Sequence, residues 1–322
     1  MIKMSSLIQT VEFQRKFNNF SSSFNLIGEI GLSGANKPIG RYGRVYHIQD
    51  TYTNKHYAYK VYTKHINPKD NHECAINRTV NECTLIEGDI IKDKSLPYVI
   101  KYYGAYHYND TLGRQTGILM EFFDGQTLDE LIPRIQSSMS LSTNTDLEID
   151  EATLLKIARK ILIGLSALHE LEIAHRDIKL DNILYREDHL THEYDIRIID
   201  LGFAGNNSKQ FPLKSRRGTA FYMAPEILTE LPAFDIGFPA EKLIPGDIWA
   251  LGLCLYCLTN NGEFPFDANN MSELVEVLST PLTLHLINEK MPTINKIITD
   301  CLLPFAQRPS AKELLEKYYC PV

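Results

Sequence analysis

The chain has 322 residues, 44% of them hydrophobic and 23% charged, with a formal net charge of −7. This apolar fraction excludes a wholly disordered chain and suffices for one large two-lobed domain or two ordinary ones. The acidic balance argues against a nucleic-acid or anionic-membrane partner, whose electrostatic footprint on the protein is basic.

Residues 1–23 are polar with interspersed Phe13, Phe17 and Phe20, and read as an N-terminal extension, either flexible or a helix packed on the adjoining lobe. They lack the sustained apolar core and small-residue cleavage site of a secretory leader, and no run approaches membrane-spanning length. A soluble, cytoplasmic protein is therefore expected. From Phe24 to Val61, short apolar runs separated by Gly, Asn and Asp predict strands, among them Arg44–Ile48 and Tyr57–Val61. A helix is predicted around Asn77–Ile86, and strands over Val99–Tyr106 and Thr116–Phe122, before Asp124-Gly125 breaks the pattern.

Helical signals then dominate. Thr153–Leu171 places Leu154, Leu155, Ala158, Ile161, Leu162, Leu165 and Leu168 on one side, whereas Ser137–Asp150 is rich in Ser, Thr and Asp and reads as a surface loop. The expected class is α+β, with a small β-rich lobe over 24–120, a hinge over 121–125 and a larger, mostly α lobe over 126–322. Six scattered cysteines in a chain of this length indicate a reducing compartment rather than a disulfide framework. Cys254-x-x-Cys257 lies in the apolar run Trp249–Leu258 with no second pair nearby, so it reads as two core thiols one helical turn apart.

The chemistry concentrates in His175-Arg176-Asp177-Ile178-Lys179-Leu180-Asp181-Asn182, followed by Asp200-Leu201-Gly202. Phosphoryl transfer asks a protein for positioning and charge stabilisation: a base for the attacking hydroxyl, metal ligands, and a cation near the phosphates. Asp177 suits the first role, Asn182 with Asp200 the second, and Lys179 the third. A lone Asp or a lone D-L-G is an ordinary turn or cap; the order and spacing are what carry information. The first string resembles the protein-kinase catalytic loop H-R-D-x-K-x-x-N, and the second resembles the D-F-G turn that comes after it.

This resemblance, which runs over about residues 25–318, implies a bilobal protein-kinase-like fold and an ATP- and Mg2+-dependent phosphotransferase. Gly40-Arg41-Tyr42-Gly43-Arg44-Val45 is similar to the second half of the glycine-rich loop, and Ala58-x-Lys60 to the strand whose lysine holds the α and β phosphates. The first glycine of that loop falls at Pro38, which has no N–H. Either one phosphate contact is lost there, or an insertion after Gly28-Glu-Ile-Gly31 lengthens the loop. Glu82 matches the acidic partner of Lys60, with Glu73 and Glu87 as rivals. Met120-Glu121-Phe122-Phe123 resembles the segment that stacks on and hydrogen-bonds adenine, so the nucleotide-binding set is Gly40, Gly43, Val45, Ala58, Lys60, Met120, Glu121 and Phe123.

By the same resemblance Asp177 acts on the acceptor hydroxyl, Lys179 neutralises the transferring phosphoryl group, and Asn182 and Asp200 bind magnesium. Lysine two positions after the base is the serine/threonine pattern, which implies a protein substrate with a Ser or Thr acceptor. Gly218-Thr219-Ala220-Phe221-Tyr222-Met223-Ala224-Pro225-Glu226 resembles the substrate loop ending in A-P-E. Thr219 is expected to hydrogen-bond near Asp177, Glu226 to pair with Arg308, and Asp247 to brace the catalytic loop. Arg176 beside the base implies a phosphate on the activation segment, with Ser208 or Ser215 as autophosphorylation sites; the alternative is a basic, mobile loop. The runner-up function is a nucleotide-binding pseudokinase or scaffold, motivated by Pro38. A small-molecule kinase is disfavoured by the A-P-E segment, the Asp247-x-Trp249 helix and Arg308.

Overall fold

The computed structural model describes residues 24–30, 44–62, 91, 94–110, 113–139, 149–205, 219–229, 240–280, 282–285 and 289–319. The chain divides into two compact units, Met1–Ser95 with Ile100–Phe123, and Leu96–Val99 with Asp124–Val322. One is built on an antiparallel sheet and the other is mostly helical, the α+β class expected.

The first unit contains β1 (Phe24–Ile30), β2 (Arg44–Asp50), β3 (His56–Tyr62), β4 (Tyr102–Asp110) and β5 (Gly113–Glu121), in the order β1-β2-β3-β5-β4. Period-two alternation sends Phe24, Ile48, Tyr59, Val61 and Leu119 into a core, with Leu26, Tyr46, Tyr57 and Tyr103 packed against it. The β2–β3 connection is closed by Asp50, whose carboxylate accepts from the Tyr52 and Thr53 amides at 2.8 and 2.9 Å. Those backbone donors hold its carboxyl below the usual range. β4 starts three residues later than expected. Tyr98 is left-handed at φ 57 and its carbonyl accepts from Ile198, so Val99 bridges Ile198 instead of entering the strand. The predicted helix around Asn77–Ile86 lies outside the described residues, as do 1–23.

The second unit carries β6 (Gln126–Thr127), β7 (Ile183–Asp188) and β8 (Glu193–Ile198) in one small sheet. Its helices are α1 (Ile132–Met139), α2 (Glu151–His169), α3 (Pro225–Thr229), α4 (Ala240–Thr259), α5 (Met271–Leu278), α6 (Pro292–Cys301) and α7 (Ala311–Tyr319). α2 opens on Asp150, whose side chain accepts from the Thr153 amide at 2.8 Å. It buries Leu154, Ala158, Ile161, Leu162, Leu165 and Leu168 as expected, and Ile157 completes the face while Leu155 sits at its edge. The helix stops two residues early because Glu172 turns left-handed at φ 57. Its amide bonds His169 and the Ile173 amide bonds Leu168, a paired helix closure made without glycine. The loop expected from Ser137 begins later, since Ser137–Met139 continue α1, and Ile149 at its far end is fully buried.

α4 is apolar on nearly every side and forms the centre of this unit, burying Ile248, Leu251, Leu253, Cys254, Leu255, Cys257 and Leu258. Cys254 and Cys257 are free thiols in that core, as the sequence suggested, and burial pushes the Cys257 thiol up to about 12. Where α4 meets α6, Gly252 has no room for a side chain: a Cβ there would lie 2.6 Å from Cys301 Cβ and 3.0 Å from Leu302. Glu151 at the start of α2 accepts from the Thr293 and Ile294 amides at 2.5 and 3.0 Å, capping the first turn of α6.

Two substitutions test these packing and capping roles. Gly252→Ala forces the two helices apart and is expected to cost about 1–3 kcal/mol, read as a lower denaturant midpoint with an unchanged slope. Asp150→Ala removes a cap worth about 1 kcal/mol. Hydrogen bonds from Thr153 lower the Asp150 pKa below its ordinary 3.8, so that charge stabilises the fold above pH 3.8 and ceases to as pH falls through the lowered native value. The gap between wild type and variant should therefore narrow on acidification.

Candidate active site

The His175–Asn182 loop is held from below by a buried carboxylate. Asp247 near the start of α4 accepts from the His175 amide at 2.7 Å and the Arg176 amide at 2.8 Å. The oxygen that receives the His175 amide also accepts from His169 Nε2 at 3.0 Å. Arg176 is left-handed at φ 68, a conformation unfavourable for a side chain with a Cβ. The charge-assisted bond to its own amide holds it there. His175 is fully buried, with Nε2 donating to the Ile199 carbonyl at 3.0 Å and Nδ1 accepting from the Asp177 amide at 3.3 Å. One tautomer of the ring thus joins the loop to the strand end that carries Asp200.

Asp177 is the centre of the next layer. Its Oδ1 accepts from the Thr219 amide and hydroxyl, both at 2.9 Å. Asn182 donates Nδ2 to the Asp177 carbonyl at 2.7 Å and to Oδ2 at 2.9 Å. Both amide hydrogens are thereby engaged, which leaves the Asn182 oxygen as the acceptor of that side chain. Lys179 donates to Thr219 Oγ1 at 3.1 Å and lies 3.7 Å from Asp177 Oδ2. The Thr219 hydroxyl consequently receives from the ammonium and donates to the carboxylate, one short relay between opposite charges.

Asp200 comes directly after Ile199, whose amide bonds the Asn182 carbonyl at 3.0 Å. It is left-handed at φ 66, and its carboxylate accepts from the Gly202 amide at 3.2 Å. Leu201 beside it is fully buried. Glu226 and Arg308 pair as expected, with contacts of 2.6 and 3.2 Å. The guanidinium also donates to the Pro245 and Leu303 carbonyls and lies 5.0 Å from the Trp249 ring centroid, which fixes it within the core.

The structure therefore brings together Asp177, Lys179, Asn182 and Thr219, with Asp200 adjoining through the backbone. In the other unit, Val45 lies opposite Lys60, Ala58 opposite Met120 and Lys60 opposite Ile118, which puts these residues on one face of the sheet. The Glu121 amide donates to the Lys101 carbonyl at 2.8 Å, and Phe123 is buried. Gly40, Gly43, Glu82, Ser208 and Ser215 lie outside the described residues.

Two features escape the sequence reading. His169 joins the Asp247 brace; its signal is a polar side chain four residues after Leu165 and seven after Leu162, on the apolar stripe of α2. Phe221 and Tyr222 meet Phe264 and Phe266 with ring centroids 5.1 to 6.5 Å apart, an aromatic cluster next to Thr219 that the Phe264-Pro265-Phe266 triplet marks. Desolvation raises the Tyr222 hydroxyl far above its ordinary range, so it stays protonated.

Asp247→Asn keeps the shape of the brace but turns an amide donor toward a backbone N–H. A loss of about 2–4 kcal/mol is expected, measured by chemical denaturation; an unchanged midpoint would remove Asp247 from this role.

Residues 38–320 match the family model described as the protein kinase domain. Among curated proteins, the chain is 34% identical over 192 residues to MAP kinase kinase skh1/pek1 of Schizosaccharomyces pombe, covering 60% of this chain and 46% of that protein. It is 29% identical over 231 residues to the human serine/threonine-protein kinase PAK 4, covering 70% of this chain and 34% of that protein. Serine/threonine-protein kinase 10-A of Xenopus laevis is 27% identical over 296 residues, 91% of this chain and 27% of that protein. The chain thus spans less than half the length of these curated relatives. With a matched model covering most of its length and the His175–Asn182 loop built as described, this chain belongs to the eukaryotic-type protein kinase family.

Proposed function

We propose that this protein is a serine/threonine protein kinase, transferring the γ-phosphoryl group of ATP with Mg2+ to a Ser or Thr hydroxyl of a protein substrate. The observation that carries the reading is the arrangement of Thr219, Lys179 and Asn182 around the single carboxylate of Asp177. Three donors orient that carboxylate, which is what a base that must meet an acceptor hydroxyl requires. Lys179 supplies a cation within the same network, poised for charge on the transferring group.

The donor set fits magnesium, because the Asp200 carboxylate and the Asn182 amide oxygen are hard oxygen ligands. When bound, that ion supplies neutralisation of phosphate charge. Asn182 serves its part through orientation, since both its N–H groups are engaged by Asp177 and its oxygen is the atom that remains. Lys60, with Val45 and Ala58 on the same sheet face, is the proposed phosphate and adenine side of the machinery, together with Gly40, Gly43, Met120, Glu121 and Phe123. Glu82 is the proposed partner of Lys60. Among the described residues three buried thiols are free, which suits a reducing, cytoplasmic setting, and no described helix is long and apolar enough to cross a membrane.

The test is transfer of labelled phosphate from ATP to a mixed protein substrate. Asp177→Ala and Lys60→Met are expected to abolish the signal; equal signal in all three proteins sinks the enzymatic reading and favours the pseudokinase suggested by Pro38. Thr219→Val removes the relay while preserving shape, and a fall in kcat of about tenfold or more is expected with stability little changed. Intact mass after incubation with ATP reads autophosphorylation, with added phosphate expected at Ser208 or Ser215.

A further inference from the structure

The sheet face that carries Val45, Ala58 and Lys60 continues toward the β2–β3 turn with two imidazoles. His47 follows Val45 by two residues on β2 and His56 precedes Ala58 by two on β3, so period-two alternation places both on that face. His47 lies opposite Ala58 and Gln49 opposite His56, which makes the two rings diagonal neighbours. His47 Nε2 and His56 Nδ1 are 2.6 Å apart. The opposite edge of the His56 ring, at Nε2, meets the Gln49 amide nitrogen at 3.4 Å, and that nitrogen also donates to the Asn54 carbonyl at 3.4 Å. An amide turned this way offers an N–H to His56, so Nε2 accepts; the neutral ring then carries its proton on Nδ1 and donates it to His47. The contacts thus run in one line from the turn through Gln49 and His56 to His47.

That line ends on Phe122. The His47 ring lies flat on it, with centroids 3.6 Å apart and 7° between planes, while the His56 ring stands 6.1 Å away at 39°. Phe122 is the first residue past the end of β5, whose pairing with β3 closes on Tyr57 and Glu121. Its chain neighbours, Glu121 and Phe123, are two of the residues proposed to meet adenine. Glu121 is tied from the β4 side: the Lys101 amide donates to its Oε2 at 3.2 Å, and its own amide donates to the Lys101 carbonyl at 2.8 Å. We propose that His47 is a positioning residue for nucleotide binding. Its ring holds Phe122, and with it the peptide groups joining Glu121 to Phe123, in the arrangement that receives adenine, and His56 orients the His47 ring for that contact. The inference rests on the kinase reading above and adds two residues to it. A segment already held in its binding conformation loses less freedom when the ligand arrives, so the stack acts on affinity. An interaction that serves the bound nucleotide equally before and during transfer changes KM and leaves kcat as it was.

The experiment is a calorimetric titration of the full chain with ADP and MgCl2, followed by KM and kcat for ATP in the transfer assay. His47→Ala is expected to weaken ADP binding and to raise the KM for ATP by about three- to tenfold, with kcat unchanged. His47→Phe keeps a flat ring over Phe122 and should restore the wild-type affinity. His56→Ala should show a smaller loss in the same direction, and His189→Gln, exposed on the other unit, none. The ADP titration reads the stack even in a protein that transfers no phosphate. Equal ADP affinity in wild type and His47→Ala, no rescue by His47→Phe, or a loss carried by kcat instead of KM overturns the inference and leaves the kinase reading standing. No ADP binding by the wild type overturns both.

Discussion

Two consecutive backbone N–H groups converging on the buried carboxylate of Asp247 form the constraint on which the His175–Asn182 loop rests. The backbone that follows these two amides is left-handed at Arg176, a conformation unfavourable for a residue with a Cβ. The carboxylate stabilises a conformation that the free chain would avoid. Burial sharpens the effect, because a carboxylate with so little access to water depends on its protein donors. His169, contributed by a different helix, supplies the third of them.

From this anchor the arrangement proceeds outward by hydrogen bonds of fixed direction. The His175 ring ties the loop to Ile199, which sets where Asp200 emerges. The Asp177 amide completes that ring's tautomer, and the Asp177 carboxylate then collects Thr219 and Asn182. Each group is oriented by one nearer the core, so the outermost atoms, those of Lys179 and Asn182, inherit their positions. Two left-handed non-glycine residues, Arg176 and Asp200, flank the set. Strain held at such positions by surrounding bonds is a recurrent property of working sites.

Much of this was legible in the sequence, and unevenly so. The loop residues, the Glu226–Arg308 pair and the Asp247 brace are recognisable because their chemistry depends on residue type at fixed spacing, and fixed spacing survives in a linear string. The amphipathic face of α2 is legible for a related reason, since burial imposes its own period. What escapes is geometry set by tertiary partners. Glu172 ends α2 in a conformation usually marked by glycine, and no residue type announces it. Tyr98 turns Val99 out of β4 for the sake of a bond to Ile198, a distant position in the chain. Ile149 is buried at the end of a polar stretch whose composition says only that it is exposed. His169 is visible in principle, as a polar interruption of an apolar stripe, but its contacts are not.

The cap that Glu151 places on α6 joins segments about 140 residues apart. A helix whose first amides are satisfied by its own local sequence can fluctuate by itself; α6 cannot, because its opening turn is completed by the side chain that begins α2. Opening the start of either helix breaks the same two hydrogen bonds, so that loss is shared between them. In folding terms this is a long loop closed early or not at all. It ties the start of α2 to the start of α6 within the helical core of the second unit.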